Sequence, residues 1–297
     1  MDKETKLVKK VKRLLRRLGM PRWLHRYGPK TYEFKEHLAA LLVRSICRLS
    51  YRRVKHFLDL LGIRCPSKSA LQYTAKKLDS GFWKRVLAMT SGCAYLVAVD
   101  STRLSCISPS YHYLKRIDGK MPKVPVKLSA AFDTAKKKFC AAKVRVLESH
   151  DIRDVKVLLQ QSSPKVLVAD KAYDARWLHE LCNDLGVKAH IPIRKWGKPR
   201  CRNMGLRMKS AKKFNLRVYH RRELVESGFS SIKRKFGASV SSKTVRTIRT
   251  EVYCRLACHN LFYFVFRLLG QSRIMPFVSK SFIFGILIPK SPYEIAK

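Results

Sequence analysis

The sequence predicts a mixed α/β domain preceded by a helical region. Apolar residues recur at helical spacing through roughly the first ninety residues, whereas short apolar runs bounded by turn signals begin near residue 94. From there the predicted order is three strands, helix, strand, helix, strand, helix, which is typical of a sheet whose first strands are antiparallel and whose later strands are added in parallel. We expect a helical domain at 1–92, an α/β domain at 93–270 and a tail of unassigned role at 271–297.

The helical region begins with a basic amphipathic helix predicted at 7–18. Ser50 is expected to cap a helix that Gly62 ends, and Ser67 or Ser69 to cap the next one. The lysines and arginines of this helix pair fit a DNA-binding helix-turn-helix, and they fit equally a small bundle with a solvated basic face.

The α/β domain contains acids at several element ends. Asp133 is expected to form a turn, Asp151 and Asp174 to cap helices, and Trp177 to lie on the core face of its helix. The predicted strands are 95–100, 124–133, 138–147, 164–170 and 187–193, and the predicted helices are 152–161, 174–185, 218–236 and 244–269.

Composition limits the class of protein. The 297 residues include 64 Lys+Arg against 20 Asp+Glu, a formal net charge of +44, and 46% are hydrophobic, which is enough to form a core. Because such a charge destabilises the compact state by self-repulsion unless a polyanion neutralises it, we expect nucleic acid as the first partner and an acidic membrane surface as the second.

Apolar runs and cysteines bear on the cellular location. No run is long enough to cross a bilayer, no secretory signal follows Met1, and nine irregularly spaced cysteines indicate reduced thiols, so we expect a cytoplasmic protein. Cys254, Cys258 and His259 have a spacing compatible with zinc ligands, but their apolar neighbours favour a buried helix.

Two acids, Asp100 and Asp170, each end an apolar strand. Side chains at the strand ends of such a sheet can project into a common cleft, where unpaired carboxylates are costly to desolvate. Magnesium prefers oxygen ligands, so these two acids with a third would suit one or two ions. The pair by itself is weak support, because aspartates after strands are often caps or turn residues.

The third acid lies on the helix predicted at 218–236, where each residue turns ~100°. An Arg–Glu pair at this i,i+4 spacing also fits an ordinary surface salt bridge. The basic surroundings argue for a function, because the segment 194–249 has 18 Lys+Arg and only two acids. Four side chains fall within a ~60° wedge of this helix: Tyr219, Arg222, Glu226 and Lys233.

The pattern Tyr219-x2-Arg222-x3-Glu226-x6-Lys233 resembles the signature around the last acid of DDE transposases from prokaryotic insertion sequences. Asp100, followed by Ser-Thr, is similar to the first acid of that family, and the segment 168–174 around the second acid is similar as well. The resemblance spans about 95–260 and implies a ribonuclease-H-like mixed sheet with flanking helices behind an N-terminal helical DNA-binding region. Some members carry a β insertion between the second and third acids, where this chain has only a basic stretch.

The resemblance implies metal-dependent cleavage at transposon ends, followed by transfer of the freed 3′-hydroxyl into target DNA. It implies two Mg²⁺ or Mn²⁺ ions and no nucleotide cofactor. The residue roles that it implies are catalysis and metal binding by Asp100, Asp170 and Glu226, and DNA binding by Tyr219, Arg222 and Lys233. Lys171, next to the second acid, is a candidate for an additional phosphate contact and fits equally a solvated loop lysine.

The partners implied are double-stranded DNA, as terminal inverted repeats and as target, and a second copy of the chain in a synaptic homodimer, with no membrane. The location would be the cytoplasm of a prokaryote, near its nucleoid. A junction resolvase of the same fold, a catalytically inactive sequence-specific DNA-binding protein derived from a transposase, and a basic RNA-binding protein are the alternatives. Trp196, among basic residues, is a candidate for stacking on bases.

Overall fold

The computed structural model describes residues 6–25, 27, 30–106, 126–194 and 205–271. Trp196, the segment 107–125 and the tail beyond Gln271 lie outside these ranges. The helices are α1 (Lys6–Arg17), α2 (Phe34–Ile46), α3 (Tyr51–Leu60), α4 (Lys68–Lys77), α5 (Ser80–Ser91), α6 (Ile152–Ser162), α7 (Arg176–Asp184), α8 (Gly205–Lys212), α9 (Leu216–Tyr219), α10 (Glu223–Phe236) and α11 (Val245–Gln271). The strands are β1 (Leu96–Cys106), β2 (Val126–Asp133), β3 (Lys138–Arg145), β4 (Val166–Ala169), β5 (Lys188–His190) and β6 (Ser239–Val240).

The described chain divides into two compact units. One contains the residues up to Lys77 together with those from Phe262 onward, and the other contains Leu78–Leu261. Helix α5 therefore belongs to the unit that contains the sheet, although the sequence places its residues in the helical domain 1–92. Among the described residues, no helix is both long enough and apolar enough to span a bilayer.

The first unit is built from capped helices. As predicted, the Ser50 side chain accepts a hydrogen bond from the Arg53 N–H at 3.2 Å, and the Ser67 hydroxyl accepts one from the Ala70 N–H at 3.3 Å. The connection between α3 and α4 runs from Leu61 to Ser67, which is longer than the three to four residues common in a helix-turn-helix. The choice between a DNA-binding pair and a small bundle therefore stays a prediction.

The second unit is organised around one mixed sheet with the strand order β3-β2-β1-β4-β5, and β6 pairs with the far end of β1. Strands β1, β2 and β3 are antiparallel neighbours, whereas β4 pairs parallel with β1 and β5 parallel with β4. This confirms the predicted mixed sheet. It also aligns the first four residues of β1 with the whole of β4, and β1 then continues past the end of β4 to Cys106.

Helices cover both faces of the sheet. On one face, Val99 packs with Leu158 of α6 and Leu178 of α7 in a buried cluster. On the other face lies α10, and Gly228 permits its close approach, because a Cβ at this position would come within 2.9 Å of the Phe132 ring. The α10 helix is thereby held directly against the sheet.

Four local predictions are tested by the side chains. Asp133 is confirmed as a turn residue, because its Oδ1 accepts the Ala135 N–H at 2.8 Å. Asp151 makes no capping hydrogen bond to α6, and α7 begins after Ala175, so both helix-cap predictions are wrong. Trp177 is 41% exposed, so its placement in the core is wrong as well.

Cys254, Cys258 and His259 of α11 are buried in the protein core, which supports the interpretation as a buried helix. His259 Nε2 lies 3.1 Å from the Lys137 carbonyl oxygen, and burial lowers the pKa of His259 to about 4. In the part of the chain that the structure describes, no His, Cys, Asp or Glu cluster suited to a metal ion is found there or elsewhere.

Candidate active site

The first two acids lie side by side on neighbouring parallel segments of the sheet. The register of β1 and β4 ends with the pair Val99↔Ala169, and Asp100 and Asp170 are the next residue of each segment. Adjacent strands are ~5 Å apart, so the two aspartates occupy neighbouring positions. The predicted strand end is confirmed at Asp170, directly after β4, and is wrong at Asp100, because pairing with β2 continues β1 through Asp100 to Cys106.

Both aspartates belong to the face of the sheet that α9 and α10 cover. Residues alternate between faces with a period of two, so Asp100 shares the face of Leu96, and Asp170 that of Val168. Leu96 and Val168 are buried together, and Tyr219 of α9 packs against them. Tyr219 therefore lies on the apolar surface formed by Leu96 and Val168, next to the two acids.

The predicted helix 218–236 is interrupted at its start. Its first residues form α9, a 3₁₀ turn follows at His220–Arg222, and α10 begins at Glu223. A 3₁₀ turn has three residues per turn, so it rotates Tyr219 relative to the later residues. The wedge calculated for one continuous α-helix therefore holds only from the turn onward.

Arg222 is the centre of the site. Its Nη2 lies 2.8 Å from Oε1 of Glu226, and its Nη1 lies 3.7 Å from Oδ2 of Asp100. Burial would lower the pKa of Arg222, but the charges of Glu226 and Asp170, with smaller effects from Tyr219 and Asp100, raise it. All three predicted acids thus act on one guanidinium.

Asp100 is held in an environment that disfavours its charge. Burial raises the pKa of Asp100 above its usual value, and the charges of Glu226 and Asp151 add to this rise. The Ser101 N–H, at 2.8 Å from Oδ1, and the Arg222 guanidinium offset the rise only in part. A carboxylate in this state gains from a further cation.

Asp170 and Lys171 are more open to solvent. The Lys171 N–H donates to Oδ1 of Asp170 at 2.7 Å, and the Lys171 carbonyl accepts from Nε of Arg194 at 2.8 Å. The Lys171 side chain itself is exposed. Lys233 is half-buried on α10, seven residues or ~10 Å beyond Glu226, so the structure leaves it outside the cluster around Arg222.

The donor set of the three acids fits a hard divalent cation, since every donor is a carboxylate oxygen. In the structure, however, the three acids are not close enough to share an ion, because the described residues contain no group of three His, Cys, Asp or Glu that can hold a metal ion together. The guanidinium of Arg222 lies between Asp100 and Glu226 instead. An ion shared by these acids requires Arg222 to leave them.

The segment 91–261 matches the family described as Transposase DDE domain, and it covers more than half of the 297 residues. The chain belongs to the DDE transposase family. The mixed sheet with flanking helices is the ribonuclease-H-like architecture that the resemblance implied, so the predicted fold class is confirmed.

Solved structures similar to this DDE transposase include a piggyBac transposase synaptic complex with hairpin DNA and a Mos1 transposase paired-end complex with left transposon end. The first is 11% identical, with a TM-score of 0.47, and the alignment covers 95% of this chain and 76% of the other. The second is 14% identical, with a TM-score of 0.23, and the coverage is 85% and 87%. No curated protein matches the chain.

A second polar network of the transposase domain lies on the opposite face of β1, and sequence reasoning missed it. The Ser101 hydroxyl donates to Oδ1 of Asp151 at 2.5 Å, and Nζ of the buried Lys127 lies 2.6 Å from the same oxygen. Burial raises the pKa of Asp151, but the hydrogen bonds from Lys127 and Ser101 lower it below its usual value. Asp151 thus stays charged and accepts a hydrogen bond from Ser101, the residue after Asp100. In the sequence, the Ser-Thr pair after Asp100 was the only indication of this network.

Proposed function

We propose that this chain cleaves DNA at transposon ends in a divalent-metal-dependent reaction and transfers the freed 3′-hydroxyl into target DNA. The observation that carries the proposal is that Arg222 lies between Asp100 and Glu226 while the charge of Asp170 on the neighbouring strand also acts on it. The charge of Asp100 is only partly offset by its partners, in a protein with a net charge of +44. Such a set is suited to bind divalent cations beside a polyanion.

In this proposal Asp100, Asp170 and Glu226 would hold one or two Mg²⁺ or Mn²⁺ ions. When bound, the ions activate the attacking oxygen and stabilise the leaving oxygen of an in-line displacement. Arg222, released from the acids, pairs with a phosphate next to the scissile bond, and the guanidinium fork suits that geometry.

Three residues position the DNA in the proposed complex. Lys233 and the exposed Lys171 supply further phosphate contacts on either side of the acids. Tyr219, packed against Leu96 and Val168, orients the DNA backbone or stacks on a displaced base. Hydrolysis and strand transfer are both in-line displacements at phosphorus, so one site serves both steps.

The proposed partners are double-stranded DNA and a second copy of the chain. Cleavage and joining of two transposon ends needs two active sites at once, so we propose a homodimer on DNA. A prokaryotic insertion sequence and a location near the nucleoid follow from the Tyr-Arg-Glu-Lys signature.

The test is a cleavage and joining assay on linear DNA that carries the inverted repeats flanking the gene, with Mg²⁺ or Mn²⁺. We expect Asp100→Ala and Glu226→Ala each to lower the cleavage rate by about 10²–10³-fold, because each removes a charge that acts on the transition state. Glu223→Ala is the matched control, since Glu223 lies on the same helix and is 74% exposed.

Full activity of the Asp100 and Glu226 variants would overturn the assigned site. Binding of the repeats without cleavage, unchanged by either substitution, would instead support the inactive DNA-binding alternative. Preference for structured RNA over duplex DNA in competition would support the RNA-binding alternative.

A further inference from the structure

A basic cavity of about 280 Å³ lies beside the edge strand β5, and we name it the β5-edge pocket. None of its described lining residues is acidic. Its size is just below the range of small-molecule sites, and it is large enough for a phosphate group. The basic lining residues are Lys188 and His190 of β5, His179 of α7, and Lys209 and Lys213 at the end of α8.

The pocket lysines differ from two paired cations of the same unit, Lys127 and Arg145. Lys127 pairs with Asp151, and Arg145 pairs with Asp154. Within the described residues, by contrast, no carboxylate lies within ion-pair distance of the three pocket lysines. The pocket therefore concentrates positive charge that the protein itself does not neutralise.

Helix α8, which contributes Lys209 to the pocket lining, is held in place from its other side. Arg207 is bound to Asp174 through Nε at 2.8 Å. Position 207 lies ~200° around the helix from Lys209, whereas Lys213 is one turn beyond Lys209 on the same face. Like charges at this spacing repel each other and destabilise a helix, so the fold maintains a repulsive pair that an anion would relieve.

A buried polar atom also lacks a partner in the wall of the pocket. His179 is 3% exposed, and its Nε2 lies 3.2 Å from Oδ1 of Asp174. Its Nδ1 is buried and has no hydrogen-bond partner among the described residues. An unsatisfied buried nitrogen is costly, and a phosphate oxygen, which only accepts hydrogen bonds, becomes its partner when both ring nitrogens carry protons.

The pocket is close to the candidate active site. His190 is in register with Val168, two residues before Asp170. Two residues of strand are ~7 Å and neighbouring strands are ~5 Å apart, so the α-carbons of His190 and Asp170 are about 8 Å apart. A duplex whose scissile bond lies at the acids has other phosphates within reach of the pocket.

We propose that the β5-edge pocket binds a phosphate of the DNA backbone within about five base pairs of the cleaved bond. The proposal rests on the proposed function for the choice of DNA as the polyanion. Three lysines converge there without acids, and α8 is anchored from its opposite face. The contact positions the duplex and carries no sequence information of its own.

The test compares two double variants of the full chain on a labelled duplex. Lys209→Gln/Lys213→Gln removes two pocket cations, and Arg153→Gln/Lys156→Gln removes two exposed cations from α6, which packs on β2 and β3 at the other side of the sheet. We expect the pocket variant to lower the slope of log affinity against log salt by about 2, and the control by far less. Phosphate-ethylation interference should disappear at phosphates beside the cleaved bond only in the pocket variant, and circular dichroism should show both variants folded.

Equal slopes for the two double variants, or interference lost far from the cleaved bond, would overturn the pocket site. A loss of slope confined to the pocket variant in a chain that never cleaves DNA would overturn the proposed reaction and support the pocket. A wild-type chain without affinity for DNA would overturn both.

Discussion

Asp170 and Asp174 are four residues apart, and their surroundings differ in kind. Asp174 is fully buried, and its oxygens accept hydrogen bonds from the Arg194 N–H at 2.7 Å and from Arg207 at 2.8 Å, with His179 at 3.2 Å. Within the described residues, Asp170 accepts a hydrogen bond only from the Lys171 N–H, and it lies directly after the end of β4. Asp174 therefore fastens α7 and α8 together, whereas Asp170 is available to a ligand.

The pKa values of Asp174 and of Asp100, the site acid on β1, are shifted in opposite directions. Burial raises the pKa of Asp174, but Arg207 and the Arg194 N–H outweigh it, so this pKa is lowered. The pKa of Asp100 is raised, because burial outweighs its partners. Acids whose charge the fold satisfies are structural, and an acid whose charge the fold leaves unsatisfied marks a site.

Asp174→Ala should give the largest loss of stability, about 3 kcal/mol in the free energy of unfolding, because it leaves Arg207 without its buried partner. Since the folded pKa of Asp174 is lowered, its contribution is present above pH ~3.8 and is lost as the pH falls below that value. Urea unfolding at pH 7 and at pH 3 checks both the size and the sign. Asp184→Ala, at the exposed end of α7, is the control, and an equal loss there would remove the contrast.

Arg222→Gln should raise the Mn²⁺ affinity of the DNA-free protein by about tenfold, because the guanidinium that neutralises Asp100 and Glu226 is removed. Titration followed by electron paramagnetic resonance measures free Mn²⁺ without any need for activity. Arg221→Gln, at the exposed neighbouring position, should leave the affinity unchanged. Weaker Mn²⁺ binding by the Arg222 variant would show that the guanidinium organises the acids for a metal ion.

Asp100→Asn should have the smallest effect and the opposite sign, a gain of about 0.5–1 kcal/mol in the free energy of unfolding at pH 7. Because the folded pKa of Asp100 is raised, its stabilising contribution is present below pH ~3.8 and is lost as the pH rises through the folded pKa. The variant and the wild type should therefore differ at pH 7 and converge at pH 3 in thermal melts. A destabilised variant at neutral pH would place Asp100 with Asp174 as a structural acid.

The architecture was accessible from the sequence because its signals are local. Apolar runs predicted β4 and the first half of β1, and helical spacing predicted α10 and α11. The second half of β1 was missed, because its residues from Ser101 onward are mostly polar and only the pairing with β2 keeps them in the sheet. The partners of Asp174 were not accessible, because Arg194 and Arg207 are 20 and 33 residues away in the chain and no periodicity links them. Tertiary partners took over both predicted helix caps.

The residues of the candidate site were predictable from the sequence, but the contacts between them were not. The spacing of Arg222 and Glu226 predicted their i,i+4 pair, which the structure contains. The reach of Arg222 to Asp100 depends on how α10 lies on the sheet, and the 3₁₀ turn before Glu223 changes the direction of Tyr219. Neither follows from a helical wheel.

The contact between Gly228 and the Phe132 ring has a consequence for how such a protein can diverge. Glu226 is two residues from Gly228, so the thickness of the side chain at 228 sets the gap between the helical acid and the two strand acids. A single added methyl group would push this turn of α10 away from the Phe132 ring. Mutational drift at that glycine would therefore move Glu226 relative to Asp100 and Asp170 while every acid remained in the sequence.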